Sequence, residues 1–317
     1  MMEAMGIEVI TSRAVPLGGP RAMTVRRTLP QRARSLIGAW CFIDHYGPDD
    51  VGRTGGMDVP PHPHTGLQTV SWLFDGEIEH RDSSGVSALV RPGELNLMTA
   101  GSGVAHSEVS TAATATLHGV QLWVALPDQA RDLPRRFDHA VPPPVRLGGA
   151  SARVLLGALA GHSSPVAVHS PLVGAELVLD PRAELTVDVA PAFEHGVLVD
   201  IGPVVLDGTR LAHAELGYRA PGVDHLTLAN PGDRPARVML LGGVPFGEPL
   251  VMWWNFVGRS HDEVIGFRAD WQAESERFGH VEGYRGSVHR LPAPPMPTVR
   301  LKPRLSPPGG GDPSAWG

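Results

Sequence analysis

The 317-residue chain holds 38 Gly and 31 Pro, together about 22% against an ordinary ~12%. Both residues penalise helix interiors, which excludes a mainly helical protein, while 42% apolar and 19% charged residues exclude a disordered one. A net charge of −6 with no basic stripe argues against nucleic-acid binding. Cys41, the single cysteine, excludes an internal disulfide and a thiolate-built zinc site.

In chain order the sequence predicts short strands separated by turns. Residues 1–30 predict two (IEVITSRAV and AMTVRRTLP) around a Gly18-Gly19-Pro20 turn. LQTVSWLF (67–74) runs into Asp75-Gly76, a hairpin signal, and is followed by EIEHRD (77–82) and a Ser83-Ser84-Gly85 turn. HGVQLWVALP (118–127) is a strongly apolar strand. Residues 127–150 are charged and Pro-rich and read as a connection; a second strand series follows. The similar rhythm of the two series points to an internal duplication. One helix is predicted near 260–275, with Ser260 as N-cap and Asp262 and Glu263 in its first turn. The expectation is an all-β chain. It divides into an N-terminal domain 1–126, a linker 127–150, a C-terminal domain 151–290 and an irregular or mobile tail 291–317. No apolar run reaches signal-peptide length or the ~20 residues that span a bilayer, so a soluble cytoplasmic protein is expected.

The chemistry is concentrated in residues 55–108. His62-Pro63-His64 and His106-Ser107-Glu108 each place two donors at i, i+2, on one face of a strand. In a curled sheet the two pairs can converge on one ion. Three imidazoles and a carboxylate suit Fe(II), Mn, Ni, Cu or Zn and leave open coordination positions. His80 and Asp82 share a face on the next strand and are weaker candidates for a supporting or base role. His169, His195, His213 and His225 are dispersed, which argues against a second metal site. Trp253-Trp254 reads as packing and Cys41 as a small buried hydrophobe.

These motifs resemble a known family. Gly56, five residues and then His62-Pro63-His64 resemble the first motif of the cupin superfamily. The runs His62 to Val70, Arg91-Pro92-Gly93-Glu94-Leu95 and Met98 to Glu108 are similar to the pirin family. The likeness continues through His118 to Val124 and, more loosely, at Gly258 to Glu263. The resemblance implies a bicupin, two β-barrels in tandem, with metal in the N-terminal barrel only, held by His62, His64, His106 and Glu108. It further implies an iron-dependent dioxygenase of the quercetin 2,3-dioxygenase type. Fe(II) is the expected ion, with Mn, Ni, Co, Cu or Zn as alternatives. A flavonol-like aromatic and O₂ are the expected partners, and Glu108 is the candidate catalytic base. The alternative it carries is a metal- or redox-dependent regulator acting through protein partners; a non-redox metal isomerase is a third reading. Two positions depart from the patterns. Gln68 stands where many cupins place a Glu ligand, and is expected either to orient a ligand imidazole or to be a half-exposed strand residue. Ser102 stands where many pirins carry Arg.

Overall fold

The computed structural model describes residues 6–17 and 23–305. The Gly18-Gly19-Pro20 turn and residues 306–317 of the tail lie outside the described residues. Two helices occur among them, Val51–Thr54 and His261–Gln272. The second starts where the cap residues place it: Ser260 Oγ accepts the Glu263 N–H at 3.1 Å, and the helix buries Val264 and Trp271. The first is a single turn capped by Asp50, too short to leave a periodic signal in sequence.

Each half of the chain folds a seven-stranded and a four-stranded antiparallel sheet into a jelly roll. In the N-terminal half the larger sheet runs Arg136–Ala140, Leu95–Thr99, Leu67–Asp75, Thr116–Ala125, Trp40–Asp50, Thr24–Leu29, Arg13–Pro16. The smaller runs Asp58–His64, Val104–Ser110, Ile78–Asp82, Ser87–Val90. In the C-terminal half the larger sheet runs Glu8–Ile10, Leu216–Arg219, Glu194–Ile201, Ala236–Gly243, Leu172–Leu179, Ala150–Leu156, Val145–Leu147. The smaller runs Glu184–Asp188, His225–Ala229, Val204–Leu206, Thr209–Leu211. The two orders match strand for strand, so the duplication suggested by strand rhythm is present in topology. The edge strand Glu8–Ile10 of the C-terminal sheet comes from the start of the chain. Within 127–150 the chain supplies Arg136–Ala140 to one half and Val145–Leu147 to the other.

Asp75-Gly76 does not close a hairpin. Leu67–Asp75 pairs with Thr116–Ala125 and Leu95–Thr99, whereas Ile78–Asp82 pairs with Val104–Ser110 and Ser87–Val90. The turn carries the chain from one sheet to the other, a step that a local turn signal cannot distinguish from a hairpin. Ser83-Ser84-Gly85 is a true hairpin turn.

The outer faces of the two large sheets share one apolar core, in which Trp40, Val70, Trp72 and Leu122 meet Leu198, Met239 and Leu241. The indole N–H of Trp40 donates across it to the Val173 and Gly242 carbonyls, at 3.1 and 3.2 Å. The chain then returns to the N-terminal half. Phe256 bridges Thr65, Val257 N–H donates to the Thr65 carbonyl at 3.1 Å, and Arg131 forms a two-pronged ion pair with Glu263. Gly66 (φ 67°) permits this contact, since a Cβ there would stand 2.3 Å from the Val257 carbonyl oxygen. Residues 291–305 contain no helix or extended strand but are tied down, with Leu291 N–H on the Pro61 carbonyl and Arg304 bridging Leu250.

Candidate metal centre

The two motifs lie on neighbouring strands of the small N-terminal sheet. His106 pairs directly with His62, and Val104 with His64. Glu108 pairs with Val59, so Pro60 and Pro61 together oppose Ser107. This is a β-bulge, and proline, lacking an N–H, suits a position where the ladder is broken. The bulge turns carbonyls to use: Pro60 O accepts from His62 Nδ1 at 2.9 Å, and Pro61 O accepts from Leu291 N–H.

His62, His64 and His106 converge, each offering a nitrogen within 4.8 Å of the others, and all three are buried. Their hydrogen bonds decide which nitrogens are free. A carbonyl can only accept, so His62 carries its hydrogen on Nδ1 toward Pro60, and His64 on Nδ1 toward the Asn255 carbonyl at 3.2 Å. In a neutral ring Nε2 is then a bare lone pair. His64 Nε2 stands 3.1 Å from His106 Nε2. Two nitrogens bound to one ion at ~2.1 Å and at right angles lie ~3.0 Å apart. Burial lowers all three pKa values, that of His62 to about 4 and those of His64 and His106 well below the ordinary range. Neutral imidazoles converging through bare nitrogens are a donor set for a divalent transition ion.

Glu108 stands to one side of this triad, grouped with His106 and His80 within 4.8 Å. Its Oε1 lies 3.0 Å from Ser71 Oγ, which lies 2.9 Å from Gln121 Oε1. The single hydroxyl hydrogen goes to the anion, and the Gln121 amide, turned over, donates to the hydroxyl. Burial raises the Glu108 pKa; His80, Ser71 and Gln121 pull partly the other way. Beside the imidazoles lies an aromatic wall. Trp123 sits edge-on to His64 (ring centroids 5.1 Å apart) and stacks on Phe42 at 4.0 Å, with Arg27 over Phe42 at 4.3 Å.

Of the other sequence candidates, His80 and Asp82 join the site, both buried, with His80 Nδ1 at 3.4 Å from His106 Nδ1. Gln68 is buried and donates to Thr99 Oγ1 at 2.9 Å. By alternation it shares the face of Val70 and Trp72, opposite Ser71, so it neither orients an imidazole nor lies half-exposed. The carbonyl of Ser102 accepts from Arg277 Nη1 at 2.9 Å, so a guanidinium from the other half stands beside this position. Cys41 is buried, its thiol pushed up to about 12 by burial. Trp253 and Trp254 pack with Phe256 in a satellite core, as expected of packing residues. Sequence reading missed Ser71, Gln121 and the carbonyls of Pro60 and Asn255. None of these has a motif, and Asn255 comes from 191 residues away.

A second buried group, His45, His118 and Asp200, joins the two halves. Here hydrogens fill the contacts. Both Nε2 atoms donate to Asp200 Oδ1, at 2.8 and 2.6 Å, and Arg237 Nε donates to Oδ2 at 2.6 Å. Burial alone would raise the Asp200 pKa, but His118, His45 and Arg237 together hold it well below the ordinary carboxylate range. Both oxygens of Asp200 are satisfied in this network, while His45 Nδ1 is left without a hydrogen-bond partner. His195 is different: it is buried in the C-terminal half, and neither ring nitrogen has a hydrogen-bond partner. Among the described residues no helix is long and apolar enough to cross a membrane.

Comparison with known proteins agrees with this architecture. A family model described as Pirin matches residues 22–124, and one described as Pirin C-terminal cupin domain matches residues 174–279. A Pseudomonas aeruginosa protein named "Putative quercetin 2,3-dioxygenase" is 44% identical over 293 residues, covering 92% of this chain and 91% of its own. A pirin-like protein of Caulobacter vibrioides is 39% identical, covering 78% and 88%. The crystal structure of quercetin 2,3-dioxygenase from Acinetobacter baumannii superposes with a TM-score of 0.88 at 36% identity, covering 94% of this chain and 98% of that one. With both halves matched by the family's models, and with its relatives spanning the tandem jelly rolls, the chain belongs to the pirin family.

Proposed function

We propose that the protein is a metal-dependent dioxygenase acting on flavonol-like aromatics. In this reading His62, His64 and His106 hold one ion, most simply Fe(II), and Glu108 completes the ligand set. The observation that carries the reading is the convergence of neutral imidazole nitrogens, each of His62 and His64 held by a backbone carbonyl, beside a buried carboxylate and an aromatic wall. A bound transition ion supplies Lewis acidity toward substrate oxygens and, if redox-active, electron exchange with O₂. The chain's own residues do the rest. Trp123, backed by Phe42, offers apolar ring surface beside the imidazoles. Glu108 takes the proton of the flavonol hydroxyl, and Ser71 and Gln121 hold its carboxylate in place. Low exposure of the site limits water. The names of the Pseudomonas relative and the Acinetobacter structure support the same substrate class.

The test is anaerobic loading with Fe, Mn, Ni, Co, Cu or Zn, followed by O₂ consumption across a flavonol panel. The expected result is O₂ uptake with matching loss of flavonol absorbance for at least one redox-active ion, abolished by Glu108→Ala. Absence of uptake with every ion would overturn the assignment.

A further inference from the structure

We propose that Asp82 and His80 form a positioning dyad that fixes the tautomer and basicity of His106, and through it the affinity and reduction potential of the metal centre. This rests on the metal-centre reading above. Asp82 is buried, and its Oδ1 accepts the Ser84 and Val86 N–H groups at 2.8 and 3.2 Å. Its Oδ2 lies 3.2 Å from His80 Nε2. A carboxylate offers only acceptors, so His80 carries its hydrogen on Nε2 and presents a bare Nδ1. That Nδ1 is 3.4 Å from His106 Nδ1. His106 therefore carries its hydrogen on Nδ1, and its Nε2 is left bare, facing the bare Nε2 of His64. The chain of donors runs in one direction, from the ligand ring through His80 to the anion.

The dyad is built, not incidental. Asp82 is the cross-strand partner of His106, and His80 that of Glu108. The turn after Asp82 is laced to the ligand strand, with Ser83 N–H on the Ala105 carbonyl at 2.9 Å and Ala105 N–H on Ser83 Oγ at 3.1 Å. Arg135 holds Ser83 Oγ at 2.9 Å. The His80 ring lies against Phe137, centroids 4.8 Å apart. His62 and His64 lean on neutral carbonyls, so His106 alone of the three imidazoles is coupled to a full negative charge. An anion one ring away from a metal ligand raises ligand basicity and favours the more highly charged ion.

The test uses the full chain with Ni(II) alone, by competition with a chelating dye, and with iron for the Fe(III)/Fe(II) midpoint potential. In Asp82→Asn the amide oxygen keeps the two backbone N–H groups, so its NH₂ faces His80 Nε2. That reverses the hydrogens and places one on the ligating nitrogen of His106, the wrong-tautomer effect known from catalytic triads. The expected result is Ni(II) binding weaker by about 10–100-fold and a more positive iron potential, with the apo variant folded by circular dichroism. A second pair of variants answers the case of misfolding. His80→Gln, whose carbonyl can accept from His106 Nδ1, stays within about threefold of wild type, and His80→Phe loses about 10–100-fold. Wild-type affinity and potential in Asp82→Asn, or wild-type affinity in His80→Phe, overturns the dyad. If His64→Ala binds Ni(II) as tightly as wild type, the metal-centre reading itself fails, a separate outcome.

Discussion

The two halves of this chain repeat one topology, yet only one carries a chemical interior. In the N-terminal half the adjacent strands Asp58–His64 and Val104–Ser110 present His62, His64, His106 and Glu108. The equivalent strands of the C-terminal half are Glu184–Asp188 and His225–Ala229, with Leu226 opposite Val187 and Leu228 opposite Leu185. Those four side chains join an apolar cluster with Val197, Val199, Val238 and Leu240 that fills the second jelly roll. A β-sheet fixes position and spacing but not chemistry, so swapping four inward side chains converts a donor set into a packed core. The filled half still serves the other: it supplies one side of the shared core and, through the returning segment, the Asn255 carbonyl that orients His64.

The largest expected effect tests that division directly. Elemental analysis after metal loading should find one transition ion per chain, and His64→Ala should weaken binding by at least about 100-fold. Retained full stoichiometry in that variant would place the ion elsewhere. Next comes the joint between the halves. Asp200→Ala strands Arg237 and two imidazole N–H groups at a buried interface and should cost about 3–5 kcal/mol in urea unfolding; a loss near zero would show that the network does not couple the halves.

Third comes His195, the buried histidine of the apolar half. Burial lowers the His195 pKa to about 4, so between about pH 6.5 and 4 the unfolded chain binds a proton that the folded chain refuses. Its neutral form is therefore compatible with full stability above about pH 6.5, and stability falls as the pH drops toward 4, by up to about 3 kcal/mol. His195→Leu should flatten this part of the pH profile relative to wild type, read by unfolding of the apo proteins between pH 7 and 4. An unchanged profile would mean that His195 is hydrated. Smallest is Ser71→Ala, which removes the hydroxyl between Glu108 and Gln121. About 1 kcal/mol of carboxylate positioning should be lost, seen as a several-fold weaker Ni(II) affinity together with a several-fold slower flavonol-dependent O₂ uptake. Wild-type affinity and rate would show that Ser71 does not position Glu108.

The candidate site was partly legible in sequence because strand periodicity is local. His62 and His64, or His106 and Glu108, share a face whatever the rest of the fold does. The helix from His261 was legible for the same reason, through the Ser260 cap. Asp75-Gly76 misled because a turn signal reports local φ preference and not which sheet receives the next strand. Gln68 misled because its likeness to a ligand position is a matter of spacing, whereas its face is set by alternation beyond Gly66. Ser71 and Gln121 had no signal, since a serine and a glutamine on strands are ordinary until the fold sets them beside a carboxylate.

From composition and motif alone, this chain is an all-β protein with two pairs of donors at strand spacing and a likeness to the pirin family. The tertiary structure decided which nitrogens of His62, His64 and His106 are bare, that Glu108 rests on Ser71, and that Asp82 reaches His106 through His80. The physical reason is that a tautomer depends on what its other nitrogen meets. Here those partners are a bulge carbonyl, a carbonyl from the far end of the chain and a neighbouring strand's imidazole, none of them specified by the ligand motif itself.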